Sequence, residues 1–336
     1  MIVINKDNPI LTVAIPTFNR SKYLEKTLNI LREQYCESIE ILVSDNHSTD
    51  DTYQVVSTLQ QNMPYLKYHR NEYNMGFDGN IMKLYELTQT PYIWFLGDDD
   101  PVEGNAITNI LDSLYKYQPT VALFRHSYED NNGDITLHPS WLTKDRIIEG
   151  FCSDADYEAF LSTIFLSVVV VRKNSDVTVE KLAKYKDSAM IHMTLCLLLL
   201  SKKFRFCTLT PVIVRHHQGR IYGQDLVLHF LTGSVRALCL PEFGYTIKKF
   251  KRLIFSSGHK SCGNMILSSK IGRDIVKFPV KVSRLREIYS VFGISSLPGI
   301  IYLLVCIMAP PPIVKALYYL KQNYAYRFKK KFSYSL

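Results

Sequence analysis

The sequence predicts an α/β protein whose sheet is parallel and covered by helices on both faces. Short apolar segments alternate four times with helical patterns before about residue 125. These segments lack the apolar–polar alternation of half-exposed strands, which is typical of strands buried on both sides. Parallel sheets bind ligands at the carboxyl ends of their strands. The polar stretches expected to line one cleft there are 17–20, 45–51, 70–80 and 98–100.

Apolar periodicity places the elements of this first half. Ser21 is positioned to cap a helix whose apolar face is Leu24, Leu28 and Leu31. Ser48 and Asp51 have capping-box spacing before a second helix. Further helices are predicted over about 78–89 and 103–116, and strands over 10–16, 39–44, 65–70, 92–96 and 121–124.

The second half is less regular. Residues 126–150 are predicted to form a loop or hairpin, and residues 165–171 an apolar strand. A helix with an apolar centre is predicted over 180–201, and a short strand follows at 212–214. From about residue 224 the pattern is mostly helical.

Three adjacent acids, Asp98, Asp99 and Asp100, follow Gly97 at the end of the predicted strand 92–96. Acids at the end of a buried strand are costly unless something positive binds them. Carboxylate oxygens suit Mg²⁺ or Mn²⁺, and such ions commonly bridge phosphates. The alternative is a solvated acidic turn that caps the next helix.

Motifs and composition disfavour several classes of protein. The seven cysteines are scattered without a C-x-x-C pair, which indicates reduced core residues of a cytosolic protein and no zinc site. No G-x-G-x-x-G follows the first strand, which disfavours a nucleotide dehydrogenase, and no P-loop is present. The N-terminus lacks the basic start and apolar core of a signal peptide.

Positive charge is concentrated near the C-terminus. Residues 243–336 hold 17 Lys or Arg but only two acids, in a chain of net charge +9. Residues 297–314 carry no charge, but prolines at 298 and 310–312 interrupt them. An interfacial membrane anchor is therefore favoured over a true span or a soluble helical appendage. The basic and aromatic residues that follow suit anionic headgroups, and nucleic-acid binding is not predicted.

Four motifs, at residues 13–20, 43–50, 74–76 and 96–100, resemble the family 2 glycosyltransferases of the GT-A fold in order and spacing. The resemblance implies a Rossmann-like mixed sheet flanked by helices, with a helical C-terminal appendage. The implied divisions are a catalytic domain at 1–222, made of a nucleotide-sugar half at 1–125 and an acceptor half at 126–222, and a basic, membrane-associating region at 223–336.

The same resemblance implies roles for individual residues. Asp45 would accept a hydrogen bond from a pyrimidine base. The family's usual first acid aligns with Gly97, Asp99 matches the metal-binding acid, and either Asp98 or Asp100 supplies any further carboxylate. The residues implied to bind the nucleotide sugar are Pro16, Thr17, Asn19, Arg20, Asp45, Asn46, Gly76, Asn80 and Asp98, and those implied to bind Mg²⁺ or Mn²⁺ are Asp99 and Asp100.

The family's general base comes from the second half of the domain, where several residues remain candidates. Asp187, just before the apolar helix, is the first choice, and His192 within that helix is another. Each also has a structural interpretation, as a helix-start charge and as a buried core histidine. Asp154, Asp156 and Glu158 are further candidates, and His216 or His217 could approach the metal or the diphosphate.

We therefore expect an inverting glycosyltransferase, peripheral on the cytoplasmic face of a bacterial membrane, that moves a sugar from a nucleotide-diphosphate donor to a lipid-linked glycan. Gly97 and the chain length resemble abequosyltransferase-type enzymes of O-antigen synthesis, which implies a deoxy- or dideoxyhexose. Uridine, thymidine and cytidine donors all remain open. The alternative is a catalytically inactive GT-A-like scaffold that binds a nucleotide sugar at the membrane.

Overall fold

The structure is a computed structural model that describes residues 8–217, except 130–132, 140–141, 151–155, 157–158, 161 and 187–189. The predictions for the basic C-terminal region, including its helices, the uncharged stretch 297–314 and the boundary at 222, lie outside the described residues. Within them, no helix is long and apolar enough to cross a bilayer.

One mixed sheet of nine strands organises the described residues. The strands are β1 (Leu11–Thr17), β2 (Ile39–Asp45), β3 (Leu66–Arg70), β4 (Tyr92–Phe95), β5 (Val121–Glu129), β6 (Ile135–His138), β7 (Arg146–Ile148), β8 (Val169–Arg172) and β9 (Phe206–His217). Their order is β3-β2-β1-β4-β8-β5-β9-β7, with β6 paired to β5. The first four strands are parallel, as predicted.

The sheet is not parallel throughout, because β8 lies antiparallel between β4 and β5. The apolar run Val169–Val171 that forms it is fully buried, which suits a central strand. A mixed sheet agrees with the fold that the family resemblance implied, whereas strand alternation alone predicted a parallel one.

Helices cover the sheet and follow apolar faces in the sequence. They are α1 (Ser21–Glu33), α2 (Thr52–Gln60), α3 (Gly76–Leu87), α4 (Ala106–Tyr117), α5 (Val179–Ala183) and α6 (Ile191–Lys202). Helix α1 buries Leu24, Leu28 and Leu31, as its pattern predicted. The single helix predicted over 180–201 is instead divided into α5 and α6.

Both predicted helix caps are wrong, because neither serine side chain caps its helix. The N-cap of α1 is Arg20, not Ser21, whose N–H donates to Asp50 Oδ2 at 2.9 Å. Asp51 is the N-cap of α2 but makes no side-chain capping bond, while Ser48 Oγ accepts the N–H of Asn19. The hydroxyl and carboxylate groups thus fix the loops at the carboxyl end of the sheet.

Candidate active site

The loops after β1 and β2 are joined by hydrogen bonds at the carboxyl end of the sheet. Asn19, whose φ is 54°, donates its N–H to Ser48 Oγ at 2.9 Å. Its Oδ1 accepts the N–H of Thr49 at 2.7 Å. The N–H of Asn46 donates to the carbonyl O of Thr17 at 2.9 Å. Two of the predicted motifs therefore form one structure, and Pro16 lies within it, opposite Ser44 of β2.

Asp98 is buried beneath these loops, and its two carboxylate oxygens have different partners. Thr17 Oγ1 donates to Oδ2 at 2.7 Å, and Arg20 Nη1 donates to Oδ1 at 3.0 Å. The hydroxyl of Thr27 in α1 donates to the Asp98 carbonyl O at 2.9 Å. Burial raises the pKa of Asp98 to about 6, and the charge of Asp99 adds to the rise, against the lowering effects of Thr17 and Arg20.

The raised pKa predicts that Asp98→Asn gains stability relative to wild type as the pH rises from 4 to 7, in the ligand-free protein. A carboxyl whose pKa is higher folded than unfolded stabilises the fold while protonated, and this stability is lost as pH rises from about 4 through about 6. Asparagine does not titrate. The variant's advantage should therefore grow by roughly 2 kcal/mol between pH 4 and pH 7.

Denaturant unfolding in EDTA at a series of pH values measures this difference. Asp112→Asn is the matched control, because Asp112 is exposed on α4 and should give no comparable pH-dependent gain. A stability difference between Asp98→Asn and wild type that stays constant from pH 4 to pH 7 would contradict the prediction.

Arg20 places one nitrogen between two carboxylates of the acid loop. Its Nη1 lies 2.6 Å from Asp99 Oδ2 and 3.0 Å from Asp98 Oδ1. The Arg20 side chain is 46% exposed, whereas those of Asp98 and Asp99 are only 6% and 12% exposed. The acid loop is therefore largely buried and paired with a guanidinium, unlike a solvated turn.

The donor set of this loop fits a hard divalent cation. Within the described ranges, no three His, Cys, Asp or Glu side chains converge as a metal site. Mg²⁺, however, is usually bound by one or two carboxylates together with water and substrate phosphates. The acids after β4 can provide that number of carboxylate ligands.

Asp100 contacts Ser167, which lies just before β8. Ser167 Oγ donates to Asp100 Oδ2 at 2.5 Å and accepts the N–H of Gly97 at 2.9 Å. Trp94 Nε1 donates to the Ser167 carbonyl O at 2.9 Å. A Cβ atom added to Gly97 would lie 2.6 Å from Asp100 Oδ2. The Asp100 carboxylate thus fills the space that a side chain at position 97 would need.

Asp45, at the end of β2, is covered by its neighbours. Its Oδ1 accepts the N–H of Ser48 at 2.8 Å, and its Oδ2 accepts the hydroxyl of Tyr68 at 2.6 Å. Arg70 Nε lies 3.7 Å from Oδ2, and the Asp45 side chain is 1% exposed. Burial, followed by the bond and charge of Asp45, raises the pKa of Tyr68. A nucleotide base could reach Asp45 only if Tyr68 or Arg70 moved.

An asparagine network connects β2 to the start of α3. Asn46 Nδ2 donates to Asn74 Oδ1 at 2.8 Å and to the Gly76 carbonyl O at 3.2 Å. Asn71 Nδ2 donates to Asn46 Oδ1 at 3.2 Å and to Asn80 Oδ1 at 3.0 Å. Gly76 has a φ of 73°, in the left-handed region that favours glycine. The predicted residues Asn46, Gly76 and Asn80 therefore share one hydrogen-bonded group.

The candidates for the general base are not brought together by the described structure. Asp187, Asp154 and Glu158 lie outside the described residues. His192 is 2% exposed in α6, with Nε2 3.1 Å from the Thr163 carbonyl O. Asp156 is buried, and its Oδ1 is 2.6 Å from Arg146 Nη2, a pairing typical of a structural role. His216 and His217 end β9, and nothing is described of their side chains.

Arg215, which precedes these two histidines on β9, contacts the segment that follows the acid loop. The N–H of Arg215 donates to the Pro101 carbonyl O at 2.8 Å, directly after the acid loop. Its guanidinium contacts Glu103 at 3.3 Å and Glu129 at 3.2 Å. The end of β9 is therefore fastened beside the segment that follows the three acids.

Sequence reasoning missed several polar residues that hold the site. Thr27 could have been found from the sequence, because it places a hydroxyl on the mostly apolar buried face of α1. Single residues such as Tyr68, Asn71 and Ser167 carry no comparable local pattern, since their partners are distant in sequence.

Solved structures of other proteins share this fold. A TarS fragment from S. aureus in complex with UDP-GlcNAc has a TM-score of 0.58 at 14% identity, covering 84% of this chain and 79% of that one. The mannosyltransferase PcManGT from Pyrobaculum calidifontis, in complex with GDP-Man and Mn²⁺, has a TM-score of 0.50 at 14% identity, covering 93% and 84%. The protein thus has the fold of GT-A glycosyltransferases.

The sequence resembles a particular family within this class. Residues 12–167, just under half of the chain, match the model of Glycosyl transferase family 2.

Two curated relatives match part of this chain. The abequosyltransferase RfbV of Salmonella typhimurium is 29% identical over 199 residues, which cover 55% of this chain and 59% of the relative. A GalNAc(5)-diNAcBac-PP-undecaprenol beta-1,3-glucosyltransferase of Campylobacter jejuni is 36% identical over 104 residues, covering 31% and 34%. The chain therefore matches from about a third to three-fifths of the length of these relatives.

Proposed function

We propose that this chain is an inverting glycosyltransferase that moves a sugar from a nucleoside-diphosphate donor to a lipid-linked glycan. The observation that carries the proposal is the acid loop after β4, in which Arg20 Nη1 lies within 3.0 Å of both Asp98 and Asp99. This loop adjoins the bonded loops after β1 and β2, so carboxylates, a guanidinium and ordered backbone amides meet at one end of the sheet. A diphosphate with its cation is the ligand that such a set suits.

The chemistry requires stabilisation of the departing diphosphate. Asp99 and Asp100 would hold Mg²⁺ or Mn²⁺, and when bound that cation neutralises charge on the leaving group. Arg20 would contact the phosphates through its exposed guanidinium. Thr17 and Thr27 keep Asp98 and its carbonyl in place. These contacts fix the acid loop before a donor arrives, which avoids reorganisation during the reaction.

The sugar acceptor needs a base on the opposite face of the donor sugar. Asp187 remains our proposed base, with His192 second, since inversion requires one group to take the proton of the acceptor hydroxyl. The remaining proposed nucleotide contacts are Pro16, Thr17, Asn19, Asp45, Asn46, Gly76, Asn80 and Asp98.

The proposed acceptor is a lipid-linked glycan of surface polysaccharide synthesis, and the proposed sugar is a deoxy- or dideoxyhexose. Two observations support this choice: the likeness to an abequosyltransferase and to an undecaprenol-linked glucosyltransferase, and the basic C-terminal sequence. A positive, aromatic tail would hold the enzyme at the anionic inner face of the cell membrane, near such an acceptor.

A transfer assay tests the proposal. The full chain is incubated with UDP-, CDP- and dTDP-sugars, Mn²⁺ and bacterial lipid-linked oligosaccharide, with GDP-mannose as a purine comparison, and the products are read by mass spectrometry. We expect one pyrimidine donor to be consumed. If none is consumed, even by hydrolysis, while nucleotides still raise the melting temperature, the chain is an inactive nucleotide-sugar-binding scaffold.

Membrane attachment has its own test. Deletion of residues 297–336 should move the protein from the membrane fraction to the soluble fraction after cell lysis, because the uncharged stretch and all the basic residues that follow it are lost. Retention of the shortened protein on membranes would show that the anchor is elsewhere.

A further inference from the structure

Arg20 contacts Asp99, one of the two proposed cation ligands, and the neighbouring Asp98. A single nitrogen, Nη1, is 3.0 Å from Asp98 Oδ1 and 2.6 Å from Asp99 Oδ2. Contacts this short are charge-assisted hydrogen bonds, the stronger class of such bonds. In the structure, the two carboxylates are therefore partly neutralised by a side chain of the same protein.

Asp98 is fixed by its neighbours, whereas the guanidinium is partly exposed and has room to move. Asp98 is held through Oδ2 by Thr17 at 2.7 Å and through its carbonyl O by Thr27 at 2.9 Å. The Arg20 side chain is 46% exposed, and its Cζ lies 5.6 Å from the centroid of the Tyr23 ring. That ring is itself exposed and offers a surface to which a displaced guanidinium can stay close.

A guanidinium and a divalent cation held by the same carboxylate repel each other at that distance. Each therefore weakens the binding of the other. A nucleoside diphosphate changes this balance because its phosphate oxygens are alternative acceptors for Arg20, in the bidentate geometry that arginine favours.

We propose that Arg20 is a built-in competitor of the divalent cation, and that the donor's diphosphate removes it from Asp98 and Asp99. The cation then binds weakly to the empty protein and tightly together with the nucleotide. By linkage, the cation strengthens nucleotide binding by the same factor. This inference rests on the proposed function and assigns Arg20 a second role, that of coupling the two ligands.

The test measures Mn²⁺ binding directly, by the electron paramagnetic resonance signal of free Mn²⁺. Wild type and Arg20→Gln are titrated without nucleotide and with saturating UDP, CDP or dTDP, whichever raises the melting temperature. We expect Arg20→Gln to bind Mn²⁺ alone about tenfold more tightly than wild type, and the gain from nucleotide to shrink by about the same factor.

Two control variants separate charge from fold. Arg32→Gln makes the same change in the last turn of α1, at an exposed position, and should bind Mn²⁺ as wild type does. Arg20→Lys keeps a cation at the site and should retain the weak binding of Mn²⁺ alone. Thermal unfolding shows whether each variant is folded. If Arg20→Gln is not folded, the comparison of Arg20→Lys with Arg32→Gln still tests the inference.

Each outcome decides the matter. Arg20→Gln binding Mn²⁺ no more tightly than wild type overturns the inference, as does an equal tightening in Arg20→Lys. If wild type binds neither Mn²⁺ nor any nucleoside diphosphate, separately or together, the proposed function fails first. Nucleotide and Mn²⁺ binding without coupling in wild type would leave the proposed function standing and refute only the competitor role.

Discussion

Replacing Asp99 by asparagine should reduce sugar transfer by about 100-fold or more, with little change in the melting temperature. Its carboxylate is the most exposed partner of Arg20, with a side chain 12% exposed against 6% for Asp98. The amide keeps the shape but loses the charge that would bind the cation on the leaving diphosphate. Losses of about 10²–10³ are typical when one group that stabilises developing charge is removed.

The measurement is kcat/KM for the donor identified in the transfer assay, at several Mn²⁺ concentrations. Asp112→Asn removes a carboxylate from the exposed face of α4 and should leave kcat/KM unchanged. Excess Mn²⁺ should recover part of the lost activity if binding of the cation is what Asp99 supports. Full activity of Asp99→Asn at low Mn²⁺ would exclude Asp99 as a ligand.

The sequence predicted β1, β2 and β4 well because each is a local, mostly apolar run that ends at a polar stretch. Strand β4, for instance, is buried along its whole length and stops just before Gly97. The position of β8 could not be predicted in this way. Its place between β4 and β5 depends on packing between segments some fifty to eighty residues apart, and an apolar run has no preferred partner.

In the candidate site, too, local motifs were predictable and contacts between distant segments were not. Motifs at strand ends predicted that Thr17, Arg20 and Asp98 would meet, and the structure joins them by hydrogen bonds. The covering of Asp45 by Tyr68 could not be predicted, because it depends on the register between two parallel strands. Which acid occupies the space beside Gly97 also depended on the turn geometry of the loop.

That turn geometry favours Asp100 over Asp98 as the replacement for the family's first acid. Asp98 is held by Thr17 and Arg20, whereas Asp100 Oδ2 lies 2.6 Å from the Cβ position of residue 97. Two side chains cannot fill that space, so a glycine at 97 and an acid at 100 depend on each other. The φ of Gly97 is not in the left-handed region, and an aspartate could adopt its backbone.

This dependence predicts a strongly non-additive pair of substitutions. Gly97→Asp should abolish cation-dependent nucleotide binding and lower stability, because its Cβ would meet Asp100 and place another carboxylate beside it. Asp100→Ala should weaken the same binding by about tenfold or more, since a carboxylate near the cation is lost. The double variant Gly97→Asp with Asp100→Ala should recover most of the binding, because one carboxylate again fills one space.

A double-mutant cycle on Mn²⁺-dependent binding of a nucleoside diphosphate, by calorimetry, measures the coupling. Contacting residues commonly show coupling energies of about 0.5–3 kcal/mol, and we expect a value near the upper end. Asp112→Ala combined with Gly97→Asp is the control pair and should give no rescue. If the double variant binds no better than Gly97→Asp alone, Asp100 only braces Ser167 and does not replace the missing acid.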